Sequence, residues 1–217
     1  MAETEEPAKT DSPPQGGLWM RIGLVAAALV VAVVVIFAGR HYFGWFRAPE
    51  GTMVATPAVG GPFTLVDQDG RTVTDANFRG KYMLIYFGYT YCPDVCPTSL
   101  TEVGQAIDKL GKDADKVVPI LITIDPERDR PEHLKEYVRF FHPRMVGLSG
   151  SVAQVAAAAK AYRVYFAKAR AKGAAEDEYL MDHTSITYLM GPEGKFLAHF
   201  SHGTSADAMA DRIRKFL

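Results

Sequence analysis

Two cysteines, Cys92 and Cys96, are the only thiols among the 217 residues of the chain. Their four-residue spacing places both sulfur atoms on one face of a helix or of a helical first turn. Two thiolates in that arrangement can hold a soft metal ion or close a disulfide with each other. The surrounding sequence, CPDVCP at residues 92–97, carries two prolines and an aspartate. Such neighbours argue against two inert core cysteines and favour a chemical site.

Two thiols alone leave a metal ion under-coordinated, so a third ligand is needed. Among the six histidines, His183 stands out because it immediately precedes a strongly apolar segment, within MDHTS at residues 181–185. It is either a ligand or an ordinary loop histidine. Two thiolates and one imidazole suit Cu(I), and Cu(II) if another oxygen or nitrogen donor joins them. Zinc would require a fourth ligand, such as water.

Two carboxylates could support that histidine. Asp125 opens the polar turn DPERD at residues 125–129, and Asp182 directly precedes His183. Either could orient the imidazole through its second ring nitrogen. The alternative is that each serves its own turn or caps a helix. The thioether of Met181 is also a soft donor, although a buried core methionine is the better interpretation.

The segments around the cysteines indicate how they are presented. An apolar strand is predicted at residues 82–87, just before the cysteines, and an amphipathic helix follows them, with apolar residues at 100, 103, 107 and 110 and an end near Gly111. Strand, loop, paired thiols and helix follow one another in thioredoxin-like folds. Here three residues separate the cysteines, whereas thioredoxins have two. In such a sheet, the loop that contains His183 faces the dithiol.

The rest of the domain is predicted to alternate strands and helices. Residues 117–124 form a strand buried on both faces, which indicates a sheet covered on two sides. A hairpin is predicted at 63–66 and 71–74, helices at 131–141, 151–162 (capped by Ser151) and 205–217, and strands at 145–148, 186–190 and 195–200. The charged, glycine-containing segment 168–178 is expected to be a solvated excursion.

The N-terminal region has a different composition. Residues 22–39 are uncharged and apolar, and as a helix they would span roughly 27 Å, near the thickness of a bilayer core. Aromatic residues flank this segment on both sides, at 19, 42, 43, 45 and 46, as in a membrane-interface belt. We therefore predict an uncleaved transmembrane anchor at 21–46, in preference to a cleaved signal peptide. Flanking basic residues are balanced and leave the orientation undecided.

This organisation divides the chain into four parts. A disordered tail is expected at 1–20, where acidic and small polar residues predominate. The anchor at 21–46 is followed by a proline- and glycine-containing linker at 47–60 and by one domain at 61–217. The net charge of −1 gives no indication of a nucleic-acid partner. Two cysteines are too few for a disulfide scaffold or a four-cysteine zinc site.

Three motifs in this order make the chain resemble the Sco/SenC family: CPDVCP at 92–97, DPERD at 125–129, and Asp182-His183-Thr184. Members are membrane-anchored, thioredoxin-fold copper proteins that help to assemble the binuclear copper site of cytochrome c oxidase. The resemblance covers about residues 55–217. It implies copper ligands at Cys92, Cys96 and His183, and a domain outside the cytoplasm. The acidic N-terminus favours a bacterial inner-membrane protein with a periplasmic domain over a mitochondrial one.

Membership in such a family leaves three activities open. The first is a copper chaperone, not an enzyme, that delivers Cu(I), or Cu(II), to the copper-bearing subunit of the oxidase. The second is a thiol–disulfide oxidoreductase, in which Cys92 and Cys96 are catalytic, cycle through their own disulfide and reduce the cysteines of an oxidase subunit. The third is a redox or copper sensor. Other periplasmic copper carriers or thiol reductants are further expected partners. His183 favours the chaperone, because thiol exchange needs no third ligand.

Overall fold

The computed structural model describes residues 16–42, 59–173, 175 and 177–217. The chain divides into two compact units. One contains the N-terminal helix, and the other, Pro57–Leu217, contains the predicted domain. The predicted linker at 47–60 lies outside the described residues up to position 58. Gly60 already belongs to the domain, because its amide donates a hydrogen bond to the Ala161 carbonyl at 3.0 Å.

Helix α1 runs from Gly16 to Tyr42. Its segment Arg21–Gly39 is long and apolar enough to cross a membrane, and its large apolar side chains are exposed. A single membrane anchor has these properties. The helix begins five residues before the predicted anchor, so the prediction of a disordered tail at 1–20 is wrong for residues 16–20, which contain no proline to interrupt a helix. The rest of that tail, residues 1–15, and the aromatic residues 43, 45 and 46 lie outside the described residues.

The domain is built on a seven-stranded sheet in the order β2-β1-β5-β4-β3-β8-β9. Strands β3, β4 and β5 are parallel, and the other pairs are antiparallel. The strands are β1 (Thr64–Asp67), β2 (Thr72–Thr74), β3 (Tyr82–Gly88), β4 (Val117–Thr123), β5 (Val146–Ser149), β8 (Ile186–Met190) and β9 (Phe196–Ser201). Each predicted strand therefore has a counterpart within a residue or two. Strands β6 (Phe166–Ala169) and β7 (Leu180–His183) form a separate sheet.

Four helices pack on this sheet. They are α2 (Val95–Lys109), α3 (Pro131–Arg139), α4 (Val152–Ala161) and α5 (Ala206–Arg214). Helix α4 begins at the predicted cap: the Ser151 hydroxyl accepts a hydrogen bond from the Gln154 amide at 3.2 Å, and Gln154 Oε1 accepts one from the Ser151 amide at 2.8 Å. These reciprocal bonds satisfy amides that a helix start otherwise leaves free.

The core lies along the two central strands. Nearly every side chain of β3 and β4 is buried, on both faces of the sheet. That burial matches the run of apolar residues in each strand and requires cover on two sides. The C-terminal ends of these strands lead directly into the cysteine motif and into the polar turn at 125–129. The rigid centre of the sheet thus positions both motifs.

The expected solvated excursion at 168–178 is wrong at its N-terminal edge, where residues 168 and 169 belong to a strand. Residues Phe166–Ala169 form β6, which pairs antiparallel with β7, Leu180–His183. A period of two marks the second strand: Tyr179 and Met181 are buried, whereas Leu180 and Asp182 are exposed. β6 contains alanine and lysine, which are poor strand formers, so its pairing depends on β7 rather than on local propensity.

Candidate metal centre

The two cysteines lie where the turn after β3 leads into α2. Cys96 is the second residue of α2 and is fully buried, whereas Cys92 lies before the helix and is half-buried. The Cys96 amide donates a hydrogen bond to Cys92 Sγ at 3.3 Å. Pro97 is tolerated beside them because the first turn of a helix has amides without intrahelical partners. The start of the helix thus brings the two thiols together.

A glycine on β3 allows Cys96 to approach the strand. A Cβ atom at Gly88 would lie 3.0 Å from Cys96 Sγ and 2.7 Å from the ring of Tyr86. Both separations are shorter than side-chain atoms tolerate, so a larger residue would displace the sulfur or the ring. Tyr86 Oη also donates a long hydrogen bond to Cys96 Sγ at 3.8 Å. The strand therefore fixes the buried sulfur by contact as well as by chain connection.

The two thiols differ in proton affinity. The pKa of Cys92 is lowered to about 3, chiefly because the Cys96 thiol donates a hydrogen bond to it, and His183 and the backbone amides of Cys96 and Asp94 add to the effect. The pKa of Cys96 is raised, first by that same interaction and second by burial. In the metal-free pair, Cys92 therefore carries the thiolate and Cys96 keeps its proton.

His183 is the last residue of β7 and points its ring at the thiols. Its Nε2 lies 3.5 Å from Cys96 Sγ, and its Nδ1 lies 3.2 Å from the carbonyl oxygen of Thr184. A carbonyl can only accept, so Nδ1 carries a proton, and Nε2 is the ring nitrogen that faces the sulfur atoms. The rings of Tyr86 and Tyr89 meet the imidazole edge-on, with centroids 6.1 Å and 6.0 Å away.

Cys92, Cys96 and His183 form a group that could hold a metal ion. Their ligand atoms all lie within 4.8 Å of one another. Three donors at about 2.0–2.3 Å from one ion would be separated by roughly 4 Å, so little movement would complete the site. Two sulfur donors and one nitrogen donor form a soft set, which suits Cu(I). The structure thus brings together the three side chains that the sequence indicated as ligands.

The two carboxylates lie elsewhere. Asp125 is buried, accepts a hydrogen bond from Arg128 Nε at 2.5 Å and another from Tyr179 Oη at 3.0 Å. The Asp182 side chain is exposed. Among the described hydrogen bonds, His183 Nδ1 pairs with the carbonyl oxygen of Thr184 and not with Asp125 or Asp182. Asp125 therefore organises the loop that borders the site, and a role toward His183 would be indirect.

Sequence reasoning overlooked the aromatic and basic residues that surround the ligands. Tyr89 contacts His183 through its ring and accepts a hydrogen bond from the Met181 amide through Oη at 3.1 Å. Arg128 lies in the turn motif, where only the acids were considered as functional. Met181 is buried, as expected. The alternation of Tyr179 and Met181 was the signal that could have revealed the strand carrying His183.

An open cavity gives access to the centre. Its volume is about 260 Å³, and Cys92, Pro93, Leu180, Met181 and His183 are among its lining residues. Cys96 is buried beneath it. A partner can therefore approach the Cys92 and His183 side of the group directly, whereas Cys96 is reached only through them.

Comparisons with known proteins identify the family. The sequence profile described as SCO1/SenC matches residues 51–217. The chain is 40% identical over 167 residues to the mitochondrial SCO1 homolog 1 of Arabidopsis thaliana, a match that covers 76% of this chain and 49% of that protein. The chain thus spans about half the length of that relative. It belongs to the SCO1/SenC family.

Two solved structures extend the comparison. Bradyrhizobium japonicum ScoI with copper bound is 46% identical, has a TM-score of 0.68, and is matched over 74% of this chain and all 100% of that one. BsSco, described as having a disulfide switch and belonging to the Sco family of cytochrome c oxidase assembly proteins, is 25% identical with a TM-score of 0.57, over 73% and 92% of the two chains. These matches confirm the predicted α/β, thioredoxin-like fold.

Proposed function

We propose that the chain is a copper chaperone that holds one copper ion through Cys92, Cys96 and His183 and delivers it to the binuclear copper site of cytochrome c oxidase. One observation carries the proposal: His183 Nε2 lies 3.5 Å from Cys96 Sγ, while Nδ1 faces the Thr184 carbonyl. A histidine in a protein that only exchanges thiols has no need to point a ring nitrogen at both sulfur atoms. The copper-bound relative from Bradyrhizobium japonicum supports the choice of metal.

The protein residues prepare the site in distinct ways. Cys92 offers a thiolate at neutral pH because its pKa is lowered by the hydrogen bond from the Cys96 thiol. Cys96 must release a proton when it becomes a ligand, so binding is coupled to pH. His183 supplies the third donor through Nε2, the ring nitrogen that faces the sulfur atoms. The soft sulfur pair suits Cu(I), and Cu(II) would require a further oxygen or nitrogen donor.

Thiol–disulfide exchange is the second candidate, because both cysteines are free and one is an accessible thiolate. Cys92 would attack a disulfide of the oxidase subunit and release one of its thiolates. Cys96 would lose its proton and attack Cys92 Sγ, releasing the second thiolate and leaving a Cys92–Cys96 disulfide. Two electrons pass to the substrate. A copper or redox sensor would use the same three side chains. The chaperone and the oxidoreductase are distinguished by His183, because copper delivery needs a third ligand and thiol exchange does not.

The location is part of the proposal. Helix α1 would anchor the chain in the bacterial inner membrane as a single span, with the domain in the periplasm near the oxidase. Periplasmic copper carriers would load the site and thiol reductants would keep it reduced. A reporter enzyme that works only in the periplasm, fused after Leu217, should be active. Activity of a cytoplasm-only reporter at that position would contradict this orientation.

Complementation separates delivery from reduction. In a strain that lacks the native gene, grown at low copper, His183→Ala should fail to restore oxidase activity, because a chaperone needs the third ligand. Cys92→Ala should also fail. Wild-type oxidase activity with His183→Ala, alongside none with Cys92→Ala, would refute delivery by the three-ligand site and favour the reductase.

A further inference from the structure

Arg128 lies between the two parts of the candidate centre. Its guanidinium carbon is 3.7 Å from the ring centroid of Tyr179 and 4.6 Å from that of Tyr91. Tyr91 immediately precedes Cys92, and Tyr179 immediately precedes β7, which ends at His183. A third ring, that of Tyr89, is 5.9 Å away and also meets the His183 imidazole edge-on. One cation thus contacts the chain on both sides of the metal group.

Hydrogen bonds fix the guanidinium in this position. Its Nε donates to Asp125, and its Nη1 donates to the carbonyl oxygen of Tyr179 at 3.0 Å. Tyr179 Oη donates to the other oxygen of Asp125 at 3.0 Å. Arg128 and Asp125 therefore hold Tyr179 through both its backbone and its side chain. Only 17% of the Arg128 side chain is exposed, so water screens these contacts weakly.

The third nitrogen of the Arg128 guanidinium, Nη2, shows why the tyrosine rings around it are needed to stabilise the cation. Among the described residues, Arg128 Nη2 is buried and has no hydrogen-bond partner. A buried N–H without an acceptor is destabilising. Tyrosine faces stabilise a nearby cation, and more so where water is excluded. The tyrosine rings around the guanidinium therefore provide part of the stabilisation that a hydrogen-bond acceptor for Nη2 would otherwise provide.

We propose that Arg128 is a positioning residue that holds the His183-bearing strand against the cysteine turn, and thereby keeps Nε2 within reach of the two thiols. The inference rests on the proposed copper site and assigns it a residue outside its ligand set. A lysine could not reproduce the contact, because it lacks the planar group that stacks on a ring while donating in two directions. The neighbouring Lys168–Glu127 pair joins the turn at 125–129 to β6, but it is about half exposed, so it contributes little.

The test compares Arg128→Met with Arg144→Met in the full chain in detergent micelles. Arg144 is a matched control, because it donates hydrogen bonds to the Ala114 and Val117 carbonyls at 2.9 Å and 3.0 Å but belongs to neither side of the metal group. Cu(I) affinity is measured by chelator competition, and Cu(II) affinity by titration. Pulsed electron paramagnetic resonance of the Cu(II) form detects a coordinated imidazole nitrogen.

Arg128→Met should lower Cu(II) affinity by roughly 10–100-fold, the usual cost of disturbing a residue that orients a ligand, and should weaken the imidazole signal. Cu(I) affinity should change less, since the dithiol remains. Arg144→Met should change neither. An Arg128→Met protein with wild-type Cu(II) affinity and imidazole signal would overturn the proposal. So would a loss of Cu(I) binding as large as that of Cu(II).

A second pair of variants tests the contact without changing the arginine. Tyr179→Phe keeps a ring beneath the guanidinium, and Tyr179→Leu removes it. The leucine variant should have a weakened imidazole signal and the phenylalanine variant should keep the wild-type signal; equal signals in both would overturn the proposal. If the wild-type chain binds no copper, the proposed function itself fails. If it binds copper and only His183→Ala alters the signal, the function stands and the role of Arg128 does not.

Discussion

The two halves of the candidate centre lie in different structural settings. Cys92 and Cys96 follow β3, which has a strand on each side and buried residues on both faces. His183 ends β7, which, in the part of the chain that the structure describes, pairs with β6 alone in a two-stranded sheet. Short two-stranded sheets are marginal on their own and depend on packing against neighbours. The dithiol is therefore fixed by the core, whereas the third ligand is held by side-chain contacts.

This difference separates two kinds of chemistry. The dithiol can exchange disulfides or hold a soft ion whether or not the hairpin is in place. Three-ligand binding requires both halves to meet. A hairpin that opens locally, at a lower free energy than the core, would allow a site to hold its cargo when closed and yield it when the imidazole leaves. The following predictions test that division, beginning with the largest expected effect.

Removal of the buried sulfur should have the greatest consequence. Cys96→Ser replaces a soft thiolate with a hard hydroxyl at the centre of the group, so Cu(I) binding should be abolished. Chelator competition measures the affinity. Thr101→Ala, an exposed position on the same helix whose hydroxyl bonds only to the Pro97 carbonyl among its described contacts, should bind normally. Tight Cu(I) binding by Cys96→Ser would show that Cu(I) does not need both sulfur atoms.

Removal of the imidazole should affect the two copper valences unequally. With His183→Ala, Cu(II) affinity should fall by more than roughly 100-fold, because loss of a ligand exceeds the usual effect of losing a residue that orients one. Cu(I) affinity should decrease less, since two thiolates still hold it. Parallel titrations of both valences provide the measurement. Equal losses would indicate that His183 supports the fold of the dithiol rather than the ion.

The two halves should also differ in local opening. Backbone amides of β7 should exchange with deuterium on the order of 100-fold or more faster than those of β3, because edge hairpins open locally whereas core strands exchange through global unfolding. Mass spectrometry of peptides from 82–88 and 180–183 measures both rates in one sample. Equal exchange rates in β7 and β3 would mean that the β6–β7 hairpin unfolds only together with the core. The proposed difference in stability between the hairpin and the core would then be wrong.

The smallest effect concerns the reactivity of Cys92. A lowered pKa means that its thiolate persists as the pH falls below the ordinary thiol value of about 8.5. The metal-free chain should therefore be alkylated at Cys92, with little reaction at buried Cys96, even at pH 5. His183→Ala should slow the reaction modestly at low pH, because His183 is one of the groups that lower the pKa of Cys92. Mass spectrometry of the labelled peptide reports the rate.

An unmoved rate profile in His183→Ala would show that the imidazole does not interact with the thiolate. Preferential labelling of Cys96 would reverse the assignment of the two thiols.

Features that rest on local sequence could be predicted. The strand before Cys92, the amphipathic helix after Cys96 and the Ser151 cap each follow from residues within a few positions of one another. The nearness of His183 to the cysteines was a hypothesis from the thioredoxin-like order of elements, strengthened by the family resemblance, since 87 residues separate it from Cys96. No spacing rule links such distant residues.

Other features depend on tertiary contacts. The β6–β7 pairing joins segments separated by a charged loop, and β6 has no strong strand propensity of its own. Asp125 was considered as a residue that orients His183 or, alternatively, as a carboxylate that serves its own turn, and its hydrogen bonds with Arg128 and Tyr179 engage both of its oxygens. The role inferred for Arg128 arises from three tyrosines that come from separate parts of the chain. The order of residues in the sequence does not show that these tyrosines surround one arginine in the folded chain.

X-ray absorption spectroscopy of the copper-loaded, reduced full chain distinguishes a three-ligand copper site from a site formed by the dithiol alone. We expect one copper ion per chain with two sulfur neighbours and one nitrogen neighbour, and loss of that nitrogen in His183→Ala with both sulfurs retained. A wild-type spectrum with sulfur neighbours alone, unchanged in His183→Ala, would contradict the three-ligand site formed by the core dithiol and the hairpin histidine.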